Sequence, residues 1–376
     1  MAESVKRVLL MSYELAFRGS SVLTLRLAGG LRDRGVETVV LCCEKSALDA
    51  ELSKDVRIVT VPGYTMPFWG RVVRRTVLHQ LASQPPDIIQ VVGIRLLPQA
   101  MWLGERLNCP VVLNITDQSE AGRIVLPPGP GPVRAIACVS DSVKVAMPAR
   151  LNHIEQRVIL PGVRHNPELE PPPILNDDRT PVIGMAGQLE VIKGGSFFLR
   201  ACHRVLESGV RIRIVVTGSG PEERNLRRLA TSLELNEHIT FVDSGTAMSA
   251  YLSAVDIFCL PSLQQGFGIF LLEAMALSRP VIASGVGGVL SILEDSINGI
   301  LVPPSDSRAL AERMLFLLKN PDEARRLGAA GRQLVRDRFT VERMTTDALH
   351  LYHDVLQTSS SAASLPIPTV SSGERK

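Results

Sequence analysis

Several signatures are missing from this chain, and each absence removes a class of function. No Cys-x-x-Cys pair occurs among the six cysteines, at 42, 43, 109, 138, 202 and 259, and the seven histidines do not cluster with them. A metal site therefore has no support in the sequence. Most of the cysteines sit in apolar runs such as Val39-Val40-Leu41-Cys42-Cys43, the pattern of buried, reduced thiols in a cytosolic protein. Aromatic residues are scarce, at 4%, which argues against a base-stacking platform. Charge of one sign is not in excess, since 41 basic and 38 acidic residues leave +3, so nucleic acid is not an expected partner. No apolar run reaches the length of a membrane span. The run within Met1 to Glu14 is too short for a signal h-region and reads as a first buried strand.

What the chain does have is length and a steady alternation of element types. Its 376 residues allow two ordinary domains, each with a sizeable core. Strand-like segments fall at 7–12, 37–42, 57–61, 87–92, 110–115 and 135–139, then at 182–185, 211–217, 238–241, 257–260, 281–283 and 299–302. Helical patterns fill most of the gaps; the one at 20–34 carries Leu23, Leu27 and Leu31 and stops at Gly35. Strands apolar on both faces and separated by helices predict α/β domains with doubly wound parallel sheets. Residues 161–181 hold six prolines and read as an interdomain linker. The Pro/Gly cluster at 127–132 reads as a loop within the first half. The expected division is a first domain over 1–165, a linker over 166–180, a second domain over 181–337, a last helix over 338–356, and a Ser-rich disordered tail over 357–376.

The most informative stretch is Pro261-Ser262-Leu263-Gln264-Gln265-Gly266-Phe267-Gly268-Ile269-Phe270-Leu271-Leu272-Glu273-Ala274-Met275-Ala276, followed shortly by Pro280-Val281-Ile282-Ala283. It reads as a strand end, a Gly-rich turn, a helix and a further strand. The turn would set unpaired amides at a helix N-terminus, which suits a phosphate. Glu273 follows Gln265 by eight residues, so one helix through both would show them on a single face.

This segment resembles the signature of family 4 glycosyltransferases, Pro-Ser-x-x-Glu-Gly-Phe-Gly-x-x-x-x-Glu-Ala-Met-Ala with Pro-Val-Ile-Ala after it. Gln265 stands where the family carries its first Glu. The resemblance implies the GT-B fold, two Rossmann-like doubly wound domains facing a central cleft. The N-terminal domain would supply most of the acceptor site and the C-terminal one would bind a nucleotide-diphosphate sugar, with the last helix crossing back to the first domain. It further implies a retaining transfer to a hydroxyl on a glycan, lipid-linked or small-molecule acceptor, with no cofactor besides the donor. Asp-x-Asp is absent, so the metal-dependent donor site of the other common glycosyltransferase fold has no counterpart here. In this scheme Glu273 accepts hydrogen bonds from the ribose, while Lys193 and the amides around Gly266, Phe267, Gly268 and Ile269 hold the diphosphate. Gln265 faces the sugar.

Other motifs extend the resemblance and mark its departures. Gly184-Met185-Ala186-Gly187-Gln188-Leu189-Glu190-Val191-Ile192-Lys193-Gly194 resembles a family pattern whose Arg and Lys bind the donor diphosphate; the Lys is retained and Gln188 replaces the Arg. A loop lysine in solvent is the plain reading of Lys193; a compact charge for a diphosphate is the functional one. Thr217-Gly218-Ser219-Gly220-Pro221 resembles the family's Gly-x-Gly-Pro near the nucleotide base. Glu223 stands where a dinucleotide fingerprint needs its third glycine, which argues against an oxidoreductase. In Arg18-Gly19 the second glycine of a family Gly-Gly loop survives, and Arg18 either restores the charge missing at Gln188 or obstructs the loop. Thr116-Asp117 stands where many members carry His-Asp, and Ser291 stands for a Glu. Pro161-Gly162-Val163-Arg164 resembles Asn-Gly-Val-Asp with both polar positions changed.

Scaffold residues survive and several donor-facing polar side chains are replaced. The leading reading is an active transferase in glycan biosynthesis, in the cytoplasm or at the inner membrane face. The alternative is a catalytically weak or inactive relative that binds a nucleotide or glycan, or partners an active enzyme; a sugar-nucleotide epimerase comes third. The segment 68–80 sets Phe68 and Trp69 beside Arg71, Arg74 and Arg75, with Val73, Val77 and Gln80 on one face. It reads as a surface helix with its stripe in the core, or as a peripheral contact with an anionic membrane.

Overall fold

The computed structural model describes residues 5–46, 50–127, 129, 131–164, 170–176 and 179–363. Two sheets organise them. The first contains β1 (Arg7–Leu15), β2 (Glu37–Lys45), β3 (Arg57–Thr60), β4 (Ile88–Val92), β5 (Val111–Ile115), β6 (Val133–Cys138) and β7 (Glu155–Val158). The second contains β8 (Val182–Ala186), β9 (Arg213–Thr217), β10 (Ile239–Val242), β11 (Ile257–Leu260), β12 (Val281–Ser284) and β13 (Ile300–Val302). Their orders are β3-β2-β1-β4-β5-β6-β7 and β10-β9-β8-β11-β12-β13. Every pairing between these strands is parallel.

The apolar runs of the sequence explain this arrangement. Parallel strands are joined by helices that cover both faces, so central strands read as continuous hydrophobic segments. β4 and β5 are buried along their whole length. β7 is the strand the sequence reading missed. Glu155-Gln156-Arg157-Val158 sits at the edge of its sheet, half in solvent, where polar residues are compatible with pairing.

Both sheets reverse their winding at one place, between β1 and β4 and between β8 and β11. The loops leaving those strands diverge to opposite faces and leave a crevice at the carboxyl edge. The two crevices face each other.

A continuous core joins the halves. It runs from the first sheet through Phe17, Phe267, Ile269 and Phe270 to Phe339, Met344 and Tyr352, while a second core fills the far side of the second sheet. The last helix packs back on the first half, as part of a broken pair. Helix Pro321–Arg338 ends at Phe339, and helix Val341–Ala363 begins after Thr340. The break has a local cause: the Thr340 hydroxyl accepts the Arg343 amide at 3.2 Å and caps the new helix. That helix packs on the first helix, Gly19–Asp33, and its Tyr352 hydroxyl donates to Gln90 at 2.6 Å on β4. It continues to Ala363, past the end expected at 356, so the tail of 357–376 begins as helix; residues 364–376 lie outside the described residues.

The chain passes between the halves twice, side by side. Val163 forms a parallel bridge to Thr340, and its amide donates to the Phe339 carbonyl at 2.8 Å. Part of the linker expected over 166–180, and Pro128 and Pro130 of the loop at 127–132, lie outside the described residues.

Candidate functional site

A cavity of about 160 Å³ lies between the two crevices. Loops leaving β1, β5, β6, β7, β8 and β11 line it, so six strand ends from both sheets position its side chains. Of the residues singled out in the sequence, Gly19, Thr116, Asp117, Gln188, Lys193, Gln265, Gly266, Phe267, Gly268 and Ile269 line this cavity, and Gly218, Ser219 and Glu273 do not.

Lys193 ends a short 3-10 turn, Val191–Lys193, after β8. Its ammonium donates to Gln265 Oε1 at 2.9 Å, and the Ser262 hydroxyl donates to the same oxygen at 3.1 Å. Burial pushes the ammonium below the ordinary lysine range and Arg18 adds to this, while Asp117 and Glu190 act against it. A carboxylate at 265 would neutralise the lysine directly. The amide of Gln265 leaves its positive charge available to an anion.

Arg18 reaches the cavity from the other half, in the loop after β1. Its guanidinium lies 3.7 Å from Glu14 and 3.5 Å from Glu190, longer than a good charge-assisted hydrogen bond. Its Nε is buried without a hydrogen-bond partner. Lys193 and Arg18 thus supply two positive charges from two domains, and Gln188, which also lines the cavity, supplies none.

Gln265 does not share a helix with Glu273. The helix begins only at Ile269, because Gly268 before it adopts φ +110°, a left-handed value that ends the turn and starts the helix. Gln265 therefore points into the cavity from the turn, and Glu273 lies a helical turn and more away. Glu273 instead forms a buried ion pair with Arg26 of the first helix. Arg26 also donates to the Gly162 carbonyl at 3.2 Å. Sequence reading did not single out Arg26, whose place within an apolar helix was its one signal.

The remaining residues are scaffold or wall. Gly218 packs against the Gly187 carbonyl, and the Ser219 carbonyl accepts the Leu189 amide at 3.0 Å, so both brace the Gly187–Leu189 turn from behind. Asp117 caps the helix Gln118–Ala121, accepting the Ser119 amide at 2.7 Å. Gly266 lies tight against the first half: a Cβ there would lie 1.9 Å from the Thr116 carbonyl oxygen. Nearby, the Ser140 hydroxyl donates to the Gly266 carbonyl at 3.2 Å, and Phe17 stacks on Phe270 with ring centroids 5.0 Å apart. Behind Asp117, Glu120 is mostly buried with Oε2 unpartnered, and burial pushes its carboxyl above the ordinary range. Among the described residues no cluster of His, Cys, Asp and Glu is arranged to hold a metal ion. All six cysteines are buried and free.

Residues 168–334 match the family model of glycosyl transferases group 1, and residues 18–153 match that of the glycosyl transferase 4-like domain. Across 94% of this chain and 99% of theirs, the coordinates superpose on Anabaena HepE bound to UDP-glucose with a TM-score of 0.76 at 17% identity. The chain has the GT-B fold. A sucrose-phosphate synthase from Thermosynechococcus elongatus shares the GT-B fold, with a TM-score of 0.74 and 19% identity over 94% of this chain and all of its own. In sequence, the chain is 36% identical to a phosphatidyl-myo-inositol mannosyltransferase of Mycobacterium leprae over 45% of each protein. It thus spans about half the length of that relative, and of an alpha-D-kanosaminyltransferase of Streptomyces kanamyceticus, which is 26% identical over 48% of this chain and 47% of its own. A D-inositol 3-phosphate glycosyltransferase of Stackebrandtia nassauensis is 27% identical over 90% of this chain and 87% of its own.

Proposed function

We propose that this GT-B chain transfers a sugar, with retention and without a metal ion, from a nucleotide diphosphate to a hydroxyl acceptor. The observation that carries the reading is the pair of cations at the cavity. Lys193 is a largely buried ammonium hydrogen-bonded to an amide, with Asp117 and Glu190 acting on it from farther off, and Arg18 faces it from the other domain. A diphosphate between them would also meet the N-terminus of helix Ile269–Ala276. The bond from the sugar's anomeric carbon to the β-phosphate oxygen breaks, and its electron pair stays on that oxygen. Lys193, Arg18 and the helix amides stabilise the charge that develops. The acceptor hydroxyl attacks the same face and passes its proton to the departing phosphate. Thr116, Asp117 and Gln265 line the space where the sugar would lie.

Arg18 takes the part that an arginine at 188 would play. Removing it should weaken nucleotide-diphosphate binding by roughly tenfold or more, the range for a charge-assisted hydrogen bond, and Gln188→Arg should restore it in the Arg18→Ala background. The first test is thermal shift and calorimetry with UDP, GDP, ADP and their sugar conjugates in metal-free buffer. Stabilisation by one nucleotide supports the reading and identifies the base; no binding by any of them to folded protein overturns it.

The buried Arg26–Glu273 pair favours a second reading, a weak relative whose ribose-binding carboxylate is already engaged. The double variant Gln188→Arg with Gln265→Glu separates the two. Activity gained over wild type supports the weak relative, and activity lost supports an enzyme tuned to glutamine.

A further inference from the structure

We propose that the N-terminal half docks on an anionic lipid bilayer through the segment from Met66 to Arg75. Four large apolar side chains stand in solvent there: Phe68 is 83% exposed, Trp69 73%, Val72 59% and Met66 54%. Elsewhere exposed apolar side chains are scattered along the chain, the ordinary condition of a surface. The core stripe read from the sequence is only partly there. Helix Trp69–Ala82 buries Val77, half-buries Val73 and leaves Gln80 exposed. Gly70 and Val77 of that helix are fully buried and Val73, Leu78 and Leu81 pack against the core, while the face with Arg71, Val72 and Arg75 stands in solvent.

The aromatic residues are held out rather than loose. Tyr64 is fully buried and anchors the loop, and the Met66 amide donates to the Gly63 carbonyl at 2.9 Å. Gly70 presses on the Tyr64 carbonyl, where a Cβ would come within 2.9 Å.

Charge then selects the partner. Between Asp55 and Asp87 there is no acidic residue; Arg57, at the far end of β3, lies 4.0 Å from Glu37, while Arg71, Arg74 and Arg75 of the helix put three positive charges beside the exposed rings. The helix has no acidic residue at its N-terminus, so its dipole adds to the positive field. Exposed Trp and Phe beside unopposed arginines match the bilayer interface, where rings sit at headgroup depth and guanidinium groups meet phosphates. No helix among the described residues is long and apolar enough to cross a membrane, so the contact is peripheral.

Position gives the contact a purpose. β3 is parallel to β2 and β1, with Thr60 level with Cys42 and Cys42 level with Ser12. The loop after β3 therefore leaves the sheet at the edge from which β1 leads to Arg18 and the cavity. If the transferase reading holds, a surface docked there presents membrane-borne acceptors to the cleft.

The test uses full-length protein carrying Trp102→Phe, which leaves Trp69 as the sole tryptophan of two. Vesicles of phosphatidylglycerol with phosphatidylcholine should shift its emission to the blue and allow quenching by brominated lipid. Phosphatidylcholine alone should not, and salt should reverse the effect. Arg71→Gln with Arg75→Gln should weaken vesicle binding by roughly tenfold or more. Phe68→Ser should do the same, and both variants should keep the wild-type melting temperature because the altered side chains are exposed. Unchanged emission with anionic vesicles at low salt overturns the proposal, as does full binding by both variants. A response to a soluble acidic polypeptide with none to lipid also overturns it and assigns the surface to a protein. Nucleotide binding is measured without vesicles, so failure of the donor site and failure of this surface are told apart.

Discussion

Lys193 donates a hydrogen bond to the Gln265 amide, and Asp117 and Glu190 act on its charge from beyond hydrogen-bond contact. Because burial lowers its pKa below the ordinary 10.5, the ammonium loses its proton sooner than a surface lysine does as pH rises. Nucleotide-diphosphate affinity should therefore fall as pH climbs from neutrality toward that value, and calorimetry across this range checks it. Lys193→Met should remove both the affinity and its pH dependence. Gly266 offers a sharper test, because its constraint comes from the other domain. Gly266→Ala would drive a methyl group into the Thr116 carbonyl and hold the halves apart. Turnover should drop by about 100-fold, the cost of an ångström-scale misplacement, with an unchanged circular dichroism spectrum. Glu120 tests burial rather than catalysis. Its folded pKa is raised, so its contribution to stability is present below the ordinary 4.5 and is lost as pH rises through the folded value. Glu120→Gln cannot ionise, so its melting temperature should gain on wild type as pH is raised from acid to neutral.

At the scale of elements, turn and strand chemistry placed most of the architecture. Among the described residues, twelve of thirteen strands lie at apolar segments of the sequence, and central ones such as β4 and β5 do so because burial on both faces demands unbroken hydrophobic runs. β7 was illegible because an edge strand tolerates charge. Asp256, just before β11, shows how an element is tied down by something the sequence does not announce. It is fully buried and accepts the Leu175 amide at 2.8 Å, the Val182 amide at 2.7 Å and the Arg179 guanidinium at 2.7 Å. Beside it Arg279, also fully buried, donates to the carbonyls of Val255, Leu277 and Pro172, and burial lowers its pKa to about 10. Together they staple the end of the linker to the second sheet. Asp256→Ala leaves buried donors without an acceptor and should cost roughly 3–5 kcal/mol in urea unfolding. Asp256→Asn, which keeps one acceptor oxygen, should cost less.

The whole molecule is held with its cleft closed. Phe17 on Phe270, Arg26 with Glu273, and the approach of Gly266 to Thr116 all join the halves. A cavity near 160 Å³ is smaller than the ~300 Å³ at which ligand pockets begin, so entry of a nucleotide sugar requires the halves to part. Arg26→Met removes one member of a buried pair and should lower stability by roughly 3–5 kcal/mol. It should also raise nucleotide affinity, since opening would no longer break that pair. Lower affinity would instead make Arg26 part of the donor site.

The two alternating α/β units, the glycine turn before helix Ile269–Ala276 and the lysine after β8 were legible in the residues alone. These follow from local rules: period, burial and backbone freedom within a few residues. Which charges meet depends on the packing of the two halves. Arg26 and Glu273 lie 247 positions apart, and Lys193 and Gln265 lie 72 apart. No local pattern ties such pairs, because the distance between their side chains depends on how two separately wound sheets face each other.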